Sequence, residues 1–192
     1  MARHAQKVRK TAETEISVKL NLDGEGKYKI DTPCKFFNHM IEQLSAHSDI
    51  DIELSAKSMD ENFHHLIEDC AIILGLALKE AIGDKKGIKR YSHTILPMDE
   101  ALILCAIDIS QRPYFDLQAQ LKQEKIEDFE TVLFYHFFYS LAQNMGLCLH
   151  IKELSGFDSH HIIEASFKAF ARALKESIKI DSNKIPSTKG VL

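Results

Sequence analysis

The sequence lacks a hydrophobic run long enough to cross a membrane. Its longest apolar stretch, about residues 71–78, is far shorter than the roughly 20 residues that a membrane helix needs. The N-terminus also lacks the apolar segment of a secretory signal. Positive charge is not in excess, because 24 Lys and Arg residues stand against 28 Asp and Glu residues, for a formal net charge of −4. Neither a nucleic-acid partner nor a membrane partner is therefore expected.

Paired cysteine motifs are absent as well. The four cysteines, Cys34, Cys70, Cys105 and Cys148, are scattered among apolar neighbours without a Cys-x-x-Cys pair. Buried free thiols in a reducing compartment explain this pattern better than disulfides or a zinc knuckle. With 45% apolar and 27% charged residues among 192, the chain is predicted to be a globular cytoplasmic protein.

An internal repeat organises the chain. Residues 64–82 and 160–178 align without a gap, are identical at nearly half of their positions, and both begin with His-His-x-Ile-Glu. A unit of this length is too long for a solenoid repeat, so the pattern predicts one domain made of two copies. The predicted copies are residues 10–92 and 93–180, approximately, followed by a polar tail at 181–192.

Each copy is predicted to fold as strand, strand, helix, strand and helix. Residues 16–30 and 103–117 alternate between polar and apolar types about a central turn, which predicts a half-buried hairpin in each copy. Caps, helical stripes and alternating runs predict the remaining elements. These are a helix after 31–33, a strand at 50–54 and a helix at 64–82, then a helix near 128–145, a strand at 147–152 and a helix at 160–179. The predicted fold class is α+β, with an antiparallel sheet in each half and helices packed on one face of it.

The repeated histidines have the spacing of metal ligands. Residues i and i+4 share one face of a helix, so His64 lies beside Glu68 and His160 lies beside Glu164. Adjacent histidines such as His64 and His65 diverge by about 100° around the helix axis. Each His-His pair is therefore expected to serve two different metal ions.

One further histidine from each copy, His39 or His136, completes the candidate ligand set. The set consists of His39, His64, His65, Glu68, His136, His160, His161 and Glu164. It suffices for two sites of three imidazoles and one carboxylate each, a mixture that suits Mn²⁺, Fe²⁺ or Zn²⁺ and disfavours Ca²⁺. The spacing leaves open which histidine serves which ion.

A single His-His-x-x-Glu motif is a weak signal, because surface histidines often lie beside helical carboxylates. Two copies in register, within repeats that have otherwise diverged, favour metal ligands over surface residues. His4, His93 and His150 have no counterpart in the other copy and are predicted to be ordinary surface or core residues. His47 is intermediate, since it follows His39 by two helical turns on the same face.

The two copies differ in positive charge. Lys168 and Arg172 follow His160 on one helical face, where the first copy has apolar residues. The other candidates for holding an anionic group are Arg90, Arg112, Ser187, Thr188 and Lys189. Hydroxyls, cations and backbone amides beside a glycine suit a phosphate, although any one of these cations, taken alone, is better explained as a solvated surface charge. No Walker loop or Gly-x-Gly-x-x-Gly motif is present, so a nucleotide cofactor is not predicted.

These motifs, in this order, resemble those of the imidazoleglycerol-phosphate dehydratase family, which are lyases of histidine biosynthesis. The resemblance extends from about residue 9 to residue 192. Its specific stretches include Arg-Lys-Thr-Ala-Glu-Thr-Glu at 9–15, Phe-Asn-His-Met at 37–40, His-His-Leu-Ile-Glu-Asp at 64–69, Pro-Met-Asp-Glu at 97–100, Asp-Ile-Ser-Gln-Arg-Pro at 108–113, His-His-Ile-Ile-Glu at 160–164 and Pro-Ser-Thr-Lys-Gly at 186–190. The resemblance implies a duplicated α+β fold, two manganese ions per chain, and a homo-oligomer of 24 subunits with active sites between subunits.

The resemblance also implies roles for individual residues. Glu13 is the implied acid and base and also contacts the substrate, as His39 and His47 do. The residues implied to hold the substrate phosphate are Arg90, Arg112, Lys168, Ser187, Thr188 and Lys189. The loops before the two His-His pairs, 57–63 and 156–159, depart from the family pattern. These departures are expected to affect the metal affinity or the order of the loops, and not the identity of the metal ligands.

The implied reaction converts imidazole glycerol phosphate to imidazole acetol phosphate. Two metal ions stabilise the substrate as an imidazolate, whose electrons expel a hydroxyl to leave a diazafulvene. A carboxylate then takes the C2 proton, and the resulting enol becomes the ketone. Two other interpretations use the same ligand types: a di-metal storage protein, and a binuclear hydrolase that would release inorganic phosphate. Alternating strands and the His-before-Glu order disfavour a ferritin-like storage bundle.

Overall fold

The computed structural model describes residues 3–59 and 63–190, which form two four-stranded sheets, one two-stranded sheet and four helices. The first half contains β1 (His4–Lys10), β2 (Thr14–Asn21), β3 (Tyr28–Asp31), α1 (Lys35–Ser48), β4 (Asp51–Ser58) and α2 (Phe63–Ile82). The second half contains β5 (Tyr91–Met98), β6 (Ala101–Asp108), β7 (Tyr114–Gln118), the short strands β8 (Lys125–Ile126) and β9 (Phe129–Glu130), α3 (Val132–Met145), β10 (Cys148–Ser155) and α4 (Ser159–Ser177). Within these residues, no helix combines the length and the apolar character that a membrane span requires.

The two sheets have the same strand order, and the predicted duplicated α+β fold is confirmed. The order is β1-β2-β4-β3 in the first sheet and β5-β6-β10-β7 in the second. Most neighbouring strands are antiparallel, but β3 runs parallel to β4 and β7 runs parallel to β10. Each sheet is therefore mixed rather than fully antiparallel.

The two hairpins predicted at 16–30 and 103–117 are wrong. β4 lies between β2 and β3, and β10 lies between β6 and β7, so neither pair of consecutive strands is hydrogen-bonded. The hairpins are instead β1–β2 and β5–β6, whose first strands were not predicted. An alternating pattern indicates that a strand has one buried face. It does not indicate which strand lies beside it.

The helices of the two halves meet between the sheets. α1 packs on α4, and α2 packs on α3. Phe37 of α1 contacts Phe137 of α3 edge to face, with ring centroids 5.5 Å apart, and Phe137 lies 5.1 Å from Phe167 of α4. The buried apolar side chains of both halves form one cluster. Each half is thus stabilised by burying its helices against the other.

The inserted β8–β9 hairpin shifts one predicted helix start and supports another helix. α3 begins at Val132 rather than near residue 128, because the hairpin occupies residues 125–130. Its Asp128 carboxylate accepts hydrogen bonds from the backbone N–H groups of Lys35, at 2.6 Å, and Phe36, at 3.1 Å. These groups begin α1, whose N-cap residue, Cys34, offers no side-chain cap. The second half therefore caps a helix of the first.

We expect Asp128→Ala to destabilise the fold by about 1 kcal/mol, the typical cost of losing a helix cap. For a chain of this size that loss lowers the melting temperature by roughly 2–4 °C. Thermal unfolding monitored by circular dichroism measures the change. Glu127→Gln is the matched control, because it removes a neighbouring exposed charge without removing the cap. Equal melting temperatures for both variants would contradict a capping role for Asp128.

The C-terminal segment is held against the residues that lead into β5. The N–H of Gly87 donates to the carbonyl of Lys184 at 2.9 Å, and the N–H of Asp181 donates to the carbonyl of Gly87 at 3.0 Å. Gly87 has a φ of +82°, and a Cβ there would lie 2.2 Å from the carbonyl oxygen of Ser182. Only glycine permits both this conformation and this approach. The segment that carries Ser187 is thereby positioned beside Arg90.

Candidate active site

Three predicted ligands come together where α1 packs on α4. Glu164 Oε1 lies 3.6 Å from His39 Nε2, and Glu164 Oε2 lies 3.2 Å from His160 Nε2. Each of these residues offers a ligand atom within 4.8 Å of the others. We call this group the α1–α4 cluster.

Glu164 carries a charge at the centre of the α1–α4 cluster, although only 6% of it is exposed. Burial raises the pKa of Glu164, but the hydrogen bond and charge of Lys168, together with His39 and His160, outweigh it and hold the pKa below its usual value. Lys168 Nζ lies 2.7 Å from Glu164 Oε1. The side chain is therefore ionised at neutral pH, as a metal ligand must be.

A corresponding group, the α2–α3 cluster, lies where α2 packs on α3. Among the described residues, only the α1–α4 cluster has three ligand atoms within 4.8 Å of one another. His64 and Glu68 come from α2, with His64 Nε2 3.9 Å from Glu68 Oε2. His136 comes from α3, and its ring centroid lies 4.4 Å from that of His64. Each cluster thus combines a His-x-x-x-Glu pair from one half with a histidine from the other. The spacing had left this division open, and the packing of α1 on α4 and α2 on α3 accounts for it.

The second histidine of each pair faces away from its cluster. The rings of His64 and His65 lie 5.8 Å apart at 80°, and those of His160 and His161 lie 5.9 Å apart at 74°. His65 Nδ1 lies 3.3 Å from Glu13 Oε2. Within the described part of one chain, each cluster therefore contains two imidazoles and one carboxylate, one imidazole fewer than predicted.

In the second half, Glu100 occupies the place that Glu13 occupies in the first. Both carboxylates stand in the turn between the first two strands of their sheet, and Glu100 Oε2 lies 2.8 Å from His161 Nδ1. The hydrogen bond from His161, with others from the backbone of Asp158 and Phe157, lowers the pKa of Glu100 to about 2, against a smaller effect of burial. The same hydrogen bond raises the pKa of His161. Sequence reasoning gave Glu100 no partner; its position in the Pro-Met-Asp-Glu motif was the available signal.

Most of the predicted phosphate-binding residues line one cleft of about 770 Å³, which contains Arg90, Arg112, Ser187, Thr188 and Lys189. Arg90 is largely committed to the protein itself. Its Nε donates to Asp108 at 2.7 Å, and its Nη1 donates to the carbonyl of Pro186 at 2.8 Å. Arg90 therefore anchors the segment that leads to the hydroxyls of Ser187 and Thr188, while Arg112 and Lys189 are exposed.

Lys168 lies elsewhere, in a second cleft of about 660 Å³ that also contains His47 and Arg172. Burial and the charges of Lys168 and Arg172 lower the pKa of His47, against a smaller opposing effect of Glu164. Lys168 Nζ contacts Met98 Sδ at 3.7 Å, at the far end of β5 from Arg90. Eight residues of extended strand separate Arg90 from Met98 by roughly 26 Å. Lys168 and Arg90 of one chain therefore do not reach the same phosphate.

Comparison with known proteins places this arrangement in a family. A family model described as imidazoleglycerol-phosphate dehydratase matches residues 32–174. The chain belongs to the imidazoleglycerol-phosphate dehydratase family. An imidazoleglycerol-phosphate dehydratase of Saccharolobus islandicus is 50% identical over 100% of both chains, and one of Metallosphaera sedula is 47% identical over the same share. The predicted enzyme class of the chain, a hydro-lyase, is confirmed.

Solved dehydratase structures share the fold. The crystal structure of imidazoleglycerol-phosphate dehydratase from Staphylococcus aureus subsp. aureus superposes with a TM-score of 0.85 at 36% identity, covering 93% of this chain and 99% of that one. The enzyme from Pyrococcus furiosus gives a TM-score of 0.85 at 36% identity, covering 97% and 100%. Of the two loops predicted to depart from the family pattern, the one at 156–159 is described, whereas residues 60–62 of the other lie outside the described residues.

We expect the affinity of the chain for Mn²⁺ to fall as the pH drops from about 7 to 5, because only neutral imidazole binds a metal ion. The hydrogen bond with Glu100 raises the pKa of His161. As the pH falls, His161 is therefore protonated, and loses its ability to bind an ion, at a higher pH than a histidine without such a partner. Calorimetric titration with Mn²⁺ at several pH values measures the effect. In Glu100→Gln the loss of affinity should shift to lower pH. An affinity that stays flat across this range would contradict imidazole ligation.

Proposed function

We propose that the chain catalyses dehydration of imidazole glycerol phosphate to imidazole acetol phosphate in L-histidine biosynthesis, as one domain made of two repeats. The observation that carries the proposal is the pair of His-His-Glu clusters, each built across the two halves, in a member of this family. The reaction depends on two divalent metal ions per chain, and we assign them as Mn²⁺. A cytoplasmic location is in keeping with four unpaired cysteines, three of them buried.

The donor chemistry of the clusters fits such ions. Imidazole nitrogen with carboxylate oxygen suits Mn²⁺ and related ions and is unlike the all-oxygen sites of Ca²⁺. In the α1–α4 cluster the donors are His39, His160 and Glu164, which already lie within 4.8 Å of one another. His64, Glu68 and His136 offer the same set in the α2–α3 cluster. When bound, the two ions would stabilise negative charge on the imidazole ring of the substrate and so weaken the bond to its leaving hydroxyl.

Side chains of the protein transfer the proton and bind the phosphate group of the substrate. Glu13 takes the C2 proton of the substrate. Its carboxylate lies 3.3 Å from His65, a residue that we assign as a metal ligand. Arg112, Ser187, Thr188 and Lys189 bind the phosphate with charge-assisted hydrogen bonds.

We assign the active sites to the boundaries between subunits of a homo-oligomer. His65 and His161 face away from the clusters of their own chain, so they are placed to complete clusters of neighbouring chains. Lys168 and His47 lie at the opposite end of β5 from the phosphate cleft, so they reach substrate phosphate and hydroxyls only across a subunit boundary. A shell of 24 subunits is the assembly that we propose.

The test is a product assay on imidazole glycerol phosphate with and without added Mn²⁺. A dehydratase forms the ketone and leaves the phosphate ester intact, whereas a metallohydrolase using the same ligands releases inorganic phosphate. Formation of the ketone without phosphate release supports the proposal. Phosphate release, or metal binding without any product, contradicts it in favour of a hydrolase or a storage protein.

A further inference from the structure

The turn that joins β1 to β2 is attached to α2 at two points on one face of that helix. At the first point, Glu13 Oε2 lies 3.3 Å from His65 Nδ1. At the second, the hydroxyl of Thr14 donates to Asp69 Oδ2 at 2.6 Å. Because Asp69 follows His65 by four residues, these two contacts are one helical turn apart.

The second attachment belongs to a hydrogen-bond network in which the donor and the acceptor of each bond can be identified. Thr14 is 0% exposed and Asp69 is 8% exposed. The proton of the Thr14 hydroxyl is committed to Asp69, so the hydroxyl of Thr11, 3.1 Å away, donates to Thr14 Oγ1. The other carboxylate oxygen of Asp69 accepts from Arg9 Nε at 2.8 Å. Asp69 therefore ties both strands that flank the turn to α2.

The same network fixes the backbone of Glu13. Its N–H donates to Thr11 Oγ1 at 3.1 Å, and its carbonyl accepts from the N–H of Met59 at 2.8 Å. Both backbone polar groups of Glu13 are thus held, and Thr14, its neighbour, is anchored to Asp69. Only the side-chain torsions of Glu13 remain to be set.

The second half achieves the corresponding placement in another way. Ala165 stands at the position of Asp69, so no carboxylate holds that turn from the helix. Instead, Glu100 is held through its own side chain, which accepts from His161 at 2.8 Å and from the N–H of Asp158 at 3.0 Å. A carboxylate bound in this way is stabilised in its charged form. In the first half the side chain of Glu13 makes the longer contact, and the backbone network provides the placement.

We propose that Thr14 and Asp69 are positioning residues that hold Glu13 at the reacting atoms without touching the substrate themselves. The proposal rests on the role assigned to Glu13 above. A shift of the turn by about 1 Å would misplace the carboxylate, and displacements of that size cost up to about 100-fold in rate. The cleft assigned to the substrate phosphate contains none of Glu13, Thr14 and Asp69, so binding of that phosphate would change little.

The first experiment compares Thr14→Val, which keeps the shape but removes the hydroxyl, with Thr14→Ser, which keeps the hydroxyl. Thr14→Val should lower kcat by about 10- to 100-fold with little change in KM, and Thr14→Ser should restore most of it. Val18→Ala is the matched control, because it destabilises the buried face of the same strand without touching Asp69. Its kcat should stay near that of the unmodified protein. Arg9→Met, at a half-exposed position, tests the same network if Thr14→Val fails to fold.

The second experiment adds Thr14→Val to Glu13→Gln. If Thr14 acts only through Glu13, the double variant should turn over no more slowly than Glu13→Gln alone, whereas its thermal stability should fall as in the single variant. Amide hydrogen exchange in the metal-free protein gives a readout independent of activity, and Thr14→Val should speed exchange in residues 11–14.

The outcomes separate this proposal from the proposed function. Full activity of Glu13→Gln removes the base assigned here and the positioning proposal with it. An inactive Glu13→Gln beside a normal Thr14→Val overturns only the positioning role. Equal losses of kcat from Thr14→Val in both backgrounds would also overturn it, because they indicate a general structural effect.

Discussion

Glu13→Gln should lower turnover by roughly 10²–10⁴-fold, the range expected when a general base is lost. Glutamine keeps the size and the hydrogen bonding of the side chain but cannot accept the C2 proton. Neither the α1–α4 cluster nor the α2–α3 cluster includes Glu13, and the cleft that contains Arg112 and Ser187 lies on other elements. Metal content and substrate affinity should therefore stay near those of the unmodified protein. Metal analysis, substrate binding and turnover are to be measured on one preparation.

Glu15→Gln is the matched control for this variant. Glu15 is an exposed carboxylate two residues away that pairs with Lys10, and exposed pairs of this kind contribute little. Its turnover should be nearly unchanged. Near-normal turnover of Glu13→Gln with intact metals would exclude Glu13 as the base and direct the search to Asp99 and Glu100. A modest loss shared with weaker binding would indicate that Glu13 only pairs with His65.

Removal of divalent ions by a chelator should abolish turnover, and Mn²⁺ should restore it. At saturation the protein should hold two ions per chain, because the two clusters are built from the same donors in both halves. A stoichiometry that remains at one ion would contradict the two-site arrangement. Elemental analysis after dialysis, with turnover on the same samples, provides the measurement.

Single variants separate the two clusters. His160→Ala and His64→Ala should each remove most binding of one ion, whereas His93→Ala, an exposed histidine of β5 without a counterpart in the first half, should retain both. If ligands also come from neighbouring subunits, His64→Ala and His161→Ala should lower the stability of the oligomer as well as the rate. Light scattering during heating detects that change. An oligomer that stays intact in both variants would argue against shared ligands.

The duplication and the ligand spacing were predictable from the sequence, because both are local patterns. His-x-x-x-Glu places its two side chains on one helical face wherever the helix packs, so the pairing of His160 with Glu164 follows from their spacing alone. Which histidine joins them depends on which helices meet. Nothing local to His39 indicates that α1 contacts α4 rather than α2. That contact is determined by how the helices of both halves pack in the shared hydrophobic core.

The order of the strands and the cap of α1 could not be predicted from the sequence, because both depend on contacts between residues that are far apart in the chain. The alternation in β2 and β3 is the same whether the two strands pair with each other or flank β4. Asp128 lies more than ninety residues from the helix that it caps, so no capping pattern near Lys35 reveals it. Phosphate-site candidates were found by residue type, but their division between two clefts depends on the length of β5.

Each cluster takes one histidine from the opposite half, and this arrangement bears on how such a chain could arise by duplication. A single copy of the unit would carry a His-x-x-x-Glu pair and a lone histidine on helices that belong to different clusters, so two separate copies would have to associate to complete either one. Fusing them turns that association into an intramolecular one and raises the effective concentration of each copy for the other. It also frees the two clusters to differ. Lys168 stands one turn after Glu164, while Ile72 stands one turn after Glu68, a difference that two identical copies could never carry and that a substrate with unlike ends can use.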